Sequence, residues 1–215
     1  NPSLVGSEMC IRDSPCSNKW MIGTVNSFFI GFVATFIATT LGTLAALGLS
    51  RPHMPYKGLI MAILISPMIV PLIITAAGMF FFYARINLVY SFTGIILAHV
   101  ALATPFVVIT VTATLVGFDM NMVKASQSLG ARPVRTFFKV IMPLILPGVI
   151  SGALFAFITS FDEVVIVMFM ASLDQLTIPK QMWAGIRQEI SPVILCMATC
   201  LAVSYTHLRA HETRI

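Results

Sequence analysis

The sequence predicts an all-α fold, a polytopic bundle of transmembrane helices, and three observations predict it. Of 215 residues, 58% are hydrophobic and only 10% charged. The mean hydropathy of +0.94 lies well outside the balance of a soluble domain. The apolar residues gather into runs long enough to cross a hydrocarbon core roughly 30 Å thick, for which about 20 residues suffice. Short polar stretches separate the runs.

Five apolar segments follow in order, at about residues 22–50, 58–84, 90–117, 143–171 and 191–204. The first four exceed what a span requires. The fifth rises only about 21 Å at 1.5 Å per residue and is expected to be cut short. The flanks differ from the middle: "SLVGSEMCIRDS" (3–14) and "VSYTHLRAHETRI" (203–215) carry no periodic pattern and resemble translated sequencing-adapter read-through. The expected organisation is a non-native or disordered leader over 1–19, a transmembrane domain over 20–203 truncated at both ends, and a non-native tail over 204–215.

Loop charges set the orientation. The loop 51–57 holds Arg51 and Lys57, and the loop 118–142 holds Lys124, Arg132, Arg135 and Lys139. Opposite them stand only Arg85, Lys180 and Arg187. The excess of basic residues places the first two loops in the cytoplasm. The first visible segment then runs inward, which implies one further span ahead of it. The net charge of +5 is therefore a topology signal, scattered and without the aromatic interleaving of a nucleic-acid surface, so nucleic acid is excluded as a partner. Cys10, Cys16, Cys196 and Cys200 show no spacing that suits a metal or a redox pair.

Prolines interrupt several segments: Pro67 and Pro71 in the second, Pro105 in the third, Pro143 and Pro147 at the entry to the fourth. Each removes a helix hydrogen bond and favours a kink. Gly148 with Gly152, and Gly42 with Ala46, form small-x-x-x-small pairs that let helix backbones approach closely.

The stretch "ITSFDEVVIVMF" (158–169) sets Asp162 beside Glu163 in an otherwise apolar run. An uncompensated carboxylate at a helix centre costs about 2.5–3.5 kcal/mol on insertion scales. In a continuous helix Ser151, Thr159, Asp162 and Glu163 fall within an arc of roughly 120°, with Ser160 nearly opposite. Such a stripe suits a water-filled path that lowers the barrier for a cation. The other reading is structural: Asp162 lies about 28 Å beyond Pro143 at 1.5 Å per residue, toward the outer end of the span where side chains can snorkel. His99 carries the same pair of readings, pathway group or satisfied bundle histidine. Outside the membrane, 176–192 places Ile178, Met182 and Ile186 at helical spacing with Trp183 suited to the interface, as in a short amphipathic surface helix.

The cytoplasmic stretch "KASQSLGARPVRTFFKVIMPLILPG" (124–148) pairs the small residues Ala125, Ser126, Gly130 and Ala131 with the apolar Leu129, Phe137, Phe138 and Val140. It can form a short helix, turn at Gly130 and offer a low apolar surface to a soluble partner. An amphipathic stretch on the lipid headgroups fits the same composition.

This loop resembles the coupling motif of binding-protein-dependent ABC importer permeases, E-A-A, three residues, Gly, nine residues, Ile, any residue, Leu-Pro. Ala125 and Ser126 stand for the alanines, Gly130 for the glycine, Val140 for Ile, Met142 for Leu and Pro143 for Pro, with the spacing kept and Lys124 where Glu is frequent. "NSFFIGFVATFIATTLGTLAALGLSR" (26–51), "SPMIVPLII" (66–74), "HVALATPFVV" (99–108) and "SFDEVVIVMF" (160–169) are similar to the spermidine/putrescine class in particular.

The resemblance implies the type I ABC importer permease fold, with six spans in a complete subunit, in a bacterial inner membrane. It implies ATPase subunits that receive the coupling loop, a second permease subunit, and an extracytoplasmic substrate-binding protein. It implies no cofactor of the chain's own and no enzymatic activity, ATP being bound by the partner; no G-x-x-x-x-G-K-[ST] occurs in the sequence. The alternatives are an ABC permease for iron, sulfate/thiosulfate or another small solute, or a secondary carrier driven by an ion gradient. No inverted repeat with matching broken helices favours the carrier, and no metal-ligand cluster or G-x-S-x-G favours a membrane enzyme.

Overall fold

The structure, a computed structural model, describes residues 18–51, 54–117, 120–188, 194–195, 197–199, 201–203 and 206, without side-chain description for Asn18, Met120 and Gln188. The leader up to residue 17, the tail apart from Thr206, all four cysteines and six of the fourteen residues of the 191–204 segment lie outside the described residues. The described residues form helices joined by turns and short irregular stretches, with no strand among them. The chain divides into two compact units. One takes its described residues from Asn1–Phe32, Ile73–Ala98 and Phe161–Ile215, the other from Val33–Leu72 and His99–Ser160.

Helix α1 (Asn18–Leu49) contains no proline and runs 32 residues. In the second unit its small face, Ala34, Ala38 and Ala46, is fully buried. A Cβ on Gly42 would stand 2.7 Å from the Val107 Cβ. That contact is the close approach expected of a small-x-x-x-small pair. Phe32, Phe36, Leu41 and Leu44 face outward, as lipid-facing residues do. Helix α2 (Lys57–Ile69) tolerates Pro67 but stops at Val70, which is extended and donates its N–H to Ser66 O. Helix α3 (Leu72–Arg85) resumes after Pro71 and ends on Arg85, a cation at the end that favours one. The segment 58–84 is therefore two helices, broken where Pro71 removes a donor and pushes Val70 out of the α region.

Asn87 and Tyr90 take positive φ in the turn before helix α4 (Phe92–Val116). Ser91 Oγ donates to Leu88 O at 2.6 Å and accepts the Gly94 N–H at 3.1 Å, capping the new helix. Any Cβ on Gly94 would run into the Leu88 carbonyl. Beyond α4 come helix α5 (Met120–Ser128), the short helix α6 (Pro133–Thr136), a π-helical turn (Phe137–Ile141) and helix α7 (Met142–Asp162). The Met142 N–H reaches back to Phe137 O across that wide turn. The turn stands just ahead of Pro143, whose ring would collide with the preceding turn of a regular helix. Gly148 and Gly152 of α7 pack on Thr114, Thr110 and Val107 of α4 within the second unit.

Three stretches among the described residues are long and apolar enough to cross a membrane: Lys19–Leu49, Phe92–Val116 and Pro133–Asp162. A fourth is counted if α2 and α3 form one broken span. The fourth expected segment differs from its sequence reading. It starts earlier, at Pro133, and its helix ends at Asp162 instead of continuing to 171. Helix α8 (Val165–Met170) restarts after the break, followed by a 3-10 turn (Leu173–Gln175) and helix α9 (Ile178–Gln188).

Candidate functional site

The loop that its basic residues assign to the cytoplasm is built as a helix, a turn and a second helix. Helix α5 ends when Leu129 N–H bonds Ala125 O, Gly130 N–H bonds Gln127 O and Ala131 N–H bonds Ser126 O. Gly130 has φ 78, the left-handed conformation a side chain resists, and nothing stands within 4 Å of where its Cβ would be. Glycine is thus required here by the backbone, and the space in front of it is open. Ser126 Oγ lies 2.7 Å from Thr136 Oγ1 and joins α5 to α6. Lys124, Ala125 and Leu129 are exposed, Ala131 and Val140 half-buried, and Pro143 exposed on the first turn of α7. Sequence reasoning overlooked Thr136, which is buried; a hydroxyl ten residues beyond Ser126 gave no periodic signal.

The polar residues read as a stripe do not form one. Ser151 and Thr159 are half-buried on α7, and Asp162, its last residue, is exposed. Glu163 lies past the helix end, so the wheel that placed it beside Asp162 does not apply. Its side chain is 7% exposed, and Oε1 accepts the N–H of Val165 at 2.7 Å and of Ile166 at 3.0 Å. These are two of the donors that open α8, groups with no partner inside their own helix. A carboxylate is the group the positive end of a helix favours.

The other end of α8 is treated in the opposite sense. Lys180 Nζ donates to Val167 O at 3.2 Å and to Ala171 O at 3.3 Å. Burial pushes the Lys180 ammonium below the ordinary lysine value. The six-residue helix, with Ile166, Val167 and Met170 buried, therefore has an anion at its start and a cation at its end.

The stretch that follows is tied to the first unit by side chains. Ser172 and Gln175 form a capping box, and Gln175 Nε2 donates to Tyr90 O at 3.0 Å. Asn26 Nδ2 donates to Asp174 O and Leu176 O, both at 3.1 Å. Ser27 Oγ accepts the Ile178 N–H at 2.9 Å. Helix α9 buries Ile178 while Trp183 and Ile186 are exposed, so residues that the helical spacing set on one face differ in burial.

His99 is 1% exposed. Its Nδ1 lies 2.8 Å from Ser160 Oγ, whereas Nε2 is buried with no partner among the described residues. The structure thus pairs His99 with the serine that the wheel set opposite the stripe. Among the described residues no cluster of His, Cys, Asp or Glu could hold a metal ion.

Residues 38–211 match the family described as binding-protein-dependent transport system inner membrane component. The chain belongs to this family. It is 31% identical over 179 residues to the spermidine/putrescine transport system permease protein PotC of Haemophilus influenzae, covering 83% of this chain and 70% of that protein. PotC of Escherichia coli is 31% identical over 172 residues, covering 80% of this chain and 65% of that protein. The putrescine transport system permease protein PotI of Escherichia coli is 29% identical over 183 residues, with 81% and 65% covered. The chain thus spans about two thirds of the length of these relatives.

Solved structures similar to it include the MetNI methionine ABC transporter in inward-facing conformations, at 19% identity and a TM-score of 0.68, covering 89% of this chain and 92% of that one. A bacterial ABC transporter involved in the import of the acidic polysaccharide alginate matches at 15% identity and a TM-score of 0.71, covering 90% of this chain and 75% of that one. At these identities the likeness concerns the fold, which is that of type I ABC importer permeases. The all-α multi-pass membrane architecture expected from the sequence is the one found.

Proposed function

We propose that this chain is the membrane-spanning permease subunit of an ATP-driven importer that carries polyamines into the cytoplasm. The observation that carries the reading is the 31% identity to a spermidine/putrescine permease over 83% of the chain. ATP is bound and hydrolysed by separate ATPase subunits, which receive the loop around Gly130; a second permease subunit and an extracytoplasmic substrate-binding protein complete the assembly. The chain itself performs no chemistry and needs no cofactor. The helix-turn-helix of Lys124–Thr136, exposed at Lys124, Ala125 and Leu129 and with an open glycine at its tip, supports docking of a soluble subunit at that point.

Asp162 is the carboxylate we assign to the cation's route, with Ser151 and Thr159 as polar candidates on the same helix. Glu163 and His99 move to supporting roles: the first caps α8, the second pairs with Ser160. An exposed carboxylate attracts a polycation without the desolvation that would hold it too tightly to release.

The test uses a full-length version produced with its partner subunits and reconstituted in vesicles. ATP-dependent uptake of labelled putrescine or spermidine is expected, and uptake of neither would remove the polyamine assignment. Replacing Gly130 by Phe should abolish uptake while insertion and folding persist, since a side chain there occupies the open space in front of the turn. Normal uptake by that variant would overturn the docking role.

A further inference from the structure

Just beyond the Gly130 turn lies an open cleft of about 570 Å³, lined by Gly130, Arg132, Val134, Arg135, Phe138 and Lys139. Three of these six residues are cations and none is an acid. No side-chain hydrogen bond or ion pair engages Arg132, Arg135 or Lys139 among the described residues; Asp119, the one acid of the 118–142 loop, lies outside them. Spaced at 132, 135 and 139, the cations share one side of the chain, and all three are exposed. Val134 is 69% and Phe138 62% exposed beside them.

Topology signals need positive charge on this side of the membrane, but they do not need it gathered into a cleft. Charges so close repel one another, and an anion seated among them would relieve that repulsion. The depth narrows the choice of anion. Arg132 to Lys139 begin the span-length stretch Pro133–Asp162, so they sit where headgroups meet the hydrocarbon on the cytoplasmic side. An acidic protein surface would match the cations alone, whereas the exposed Phe138 and Val134 also call for an apolar neighbour.

We infer that this cleft binds the phosphate headgroup of an anionic phospholipid of the cytoplasmic leaflet, the Arg132, Arg135 and Lys139 cations holding the phosphate while Phe138 and Val134 meet the top of an acyl chain. Basic residues at a membrane surface favour anionic lipid by about fivefold in affinity each. The inference rests on the membrane reading and on the cytoplasmic placement of the 118–142 loop, and is independent of what the importer carries. A lipid seated there would brace the entry to α7 beside the turn that meets the ATPase.

The test takes the full-length permease with its partners into mixed micelles of equal phosphatidylglycerol and phosphatidylcholine, and counts the lipids retained per protein by mass spectrometry. Phosphatidylglycerol is expected to be retained over phosphatidylcholine. Retention should fall about fivefold for each of Arg132→Gln, Arg135→Gln and Lys139→Gln. Arg135→Lys should preserve most of it, and Lys57→Gln, in the other cytoplasmic loop, should leave it unchanged. Size-exclusion profiles establish that each variant remains assembled.

Equal retention of the two lipids, or unchanged phosphatidylglycerol in the charge variants, would overturn the inference. So would charge-dependent binding of inorganic phosphate without lipid retention, which would make this a free-phosphate site. Loss of ATPase association with lipid retention intact would assign the cations to an acidic protein partner instead. Because lipid is counted without any transport, failure here and failure of the polyamine reading are separate results.

Discussion

Helix α4 runs 25 residues without a break, whereas the stretch from Asp162 to Ala171 ends one helix, starts another and ends that too. Both are rich in apolar residues, and both must satisfy backbone groups where water is scarce. In α4 the helix itself does so, and three of its threonines turn back on it: Thr104, Thr110 and Thr114 donate to Val100 O, Phe106 O and Thr110 O at 2.6 to 3.0 Å. Its close packing is left to glycines on neighbouring helices. At the break, the helix ends expose donors and acceptors that no helical neighbour can satisfy. Charged side chains of matching sign, Glu163 and Lys180, take that place. A charge in a greasy segment can therefore mark an interruption of the helix as readily as a route through the membrane.

The comparison can be broken at either stretch. The largest effect is expected where backbones meet: Gly152→Leu would put a Cβ 3.0 Å from Val107 Cα and 2.5 Å from Thr110 Oγ1. Neither the Val107 backbone nor a tightly packed helix can yield cheaply, so a loss of about 3 kcal/mol, at the upper end of ordinary overpacking, is expected. Assembled protein in detergent, followed through thermal unfolding, reads it.

Glu163→Ala comes next. It strips two buried N–H groups of their acceptor, at about 1–3 kcal/mol for groups left unsatisfied. Glu163→Gln keeps an oxygen in place and should lose less than half as much. If the two substitutions cost the same, it is the charge and not the acceptor that matters there.

Lys180→Met follows, with about 0.5–1 kcal/mol from two lost bonds at a helix C-terminus, because a half-buried ammonium already bears a desolvation cost. Gly130→Ala should be of similar size, about 1 kcal/mol, since an alanine at φ 78 meets only backbone strain and no neighbour. A much larger stability loss there would mean that the turn is packed and does not stand open.

Much of this was legible in the sequence. Runs of apolar residues placed the first three segments within a few positions but missed the bounds of the fourth by about ten at each end, while Pro71 marked the break between α2 and α3, and Gly130 marked the turn it makes. The break at Glu163 was not legible, because "FDEVVIV" has no glycine or proline to announce it. Spacing alone reads the stretch as an unbroken helix, and the angular arc drawn on that helix sets Glu163 beside Asp162. Two acids ahead of an apolar run were themselves the available signal, since acids favour helix starts. Lys180 and Thr136 could not be found by spacing, because their partners lie at distances along the chain that follow no period. His99 was visible as a buried polar group, but its choice of Ser160 depends on how α4 and α7 face each other in the second unit.

The division of labour between the two neighbouring carboxylates is tested most directly by uptake of labelled putrescine in vesicles holding the full-length permease and its partners. Wild type, Asp162→Asn and Glu163→Gln are compared at equal insertion and assembly. Asp162→Asn is expected to lower uptake about tenfold or more, the loss of one favourable charge contact of about 1.4 kcal/mol or above, while Glu163→Gln stays within about twofold of wild type. Uptake that collapses in Glu163→Gln and persists in Asp162→Asn would contradict it, placing the buried carboxylate on the cation's route and leaving the exposed one at the surface without a part in transport.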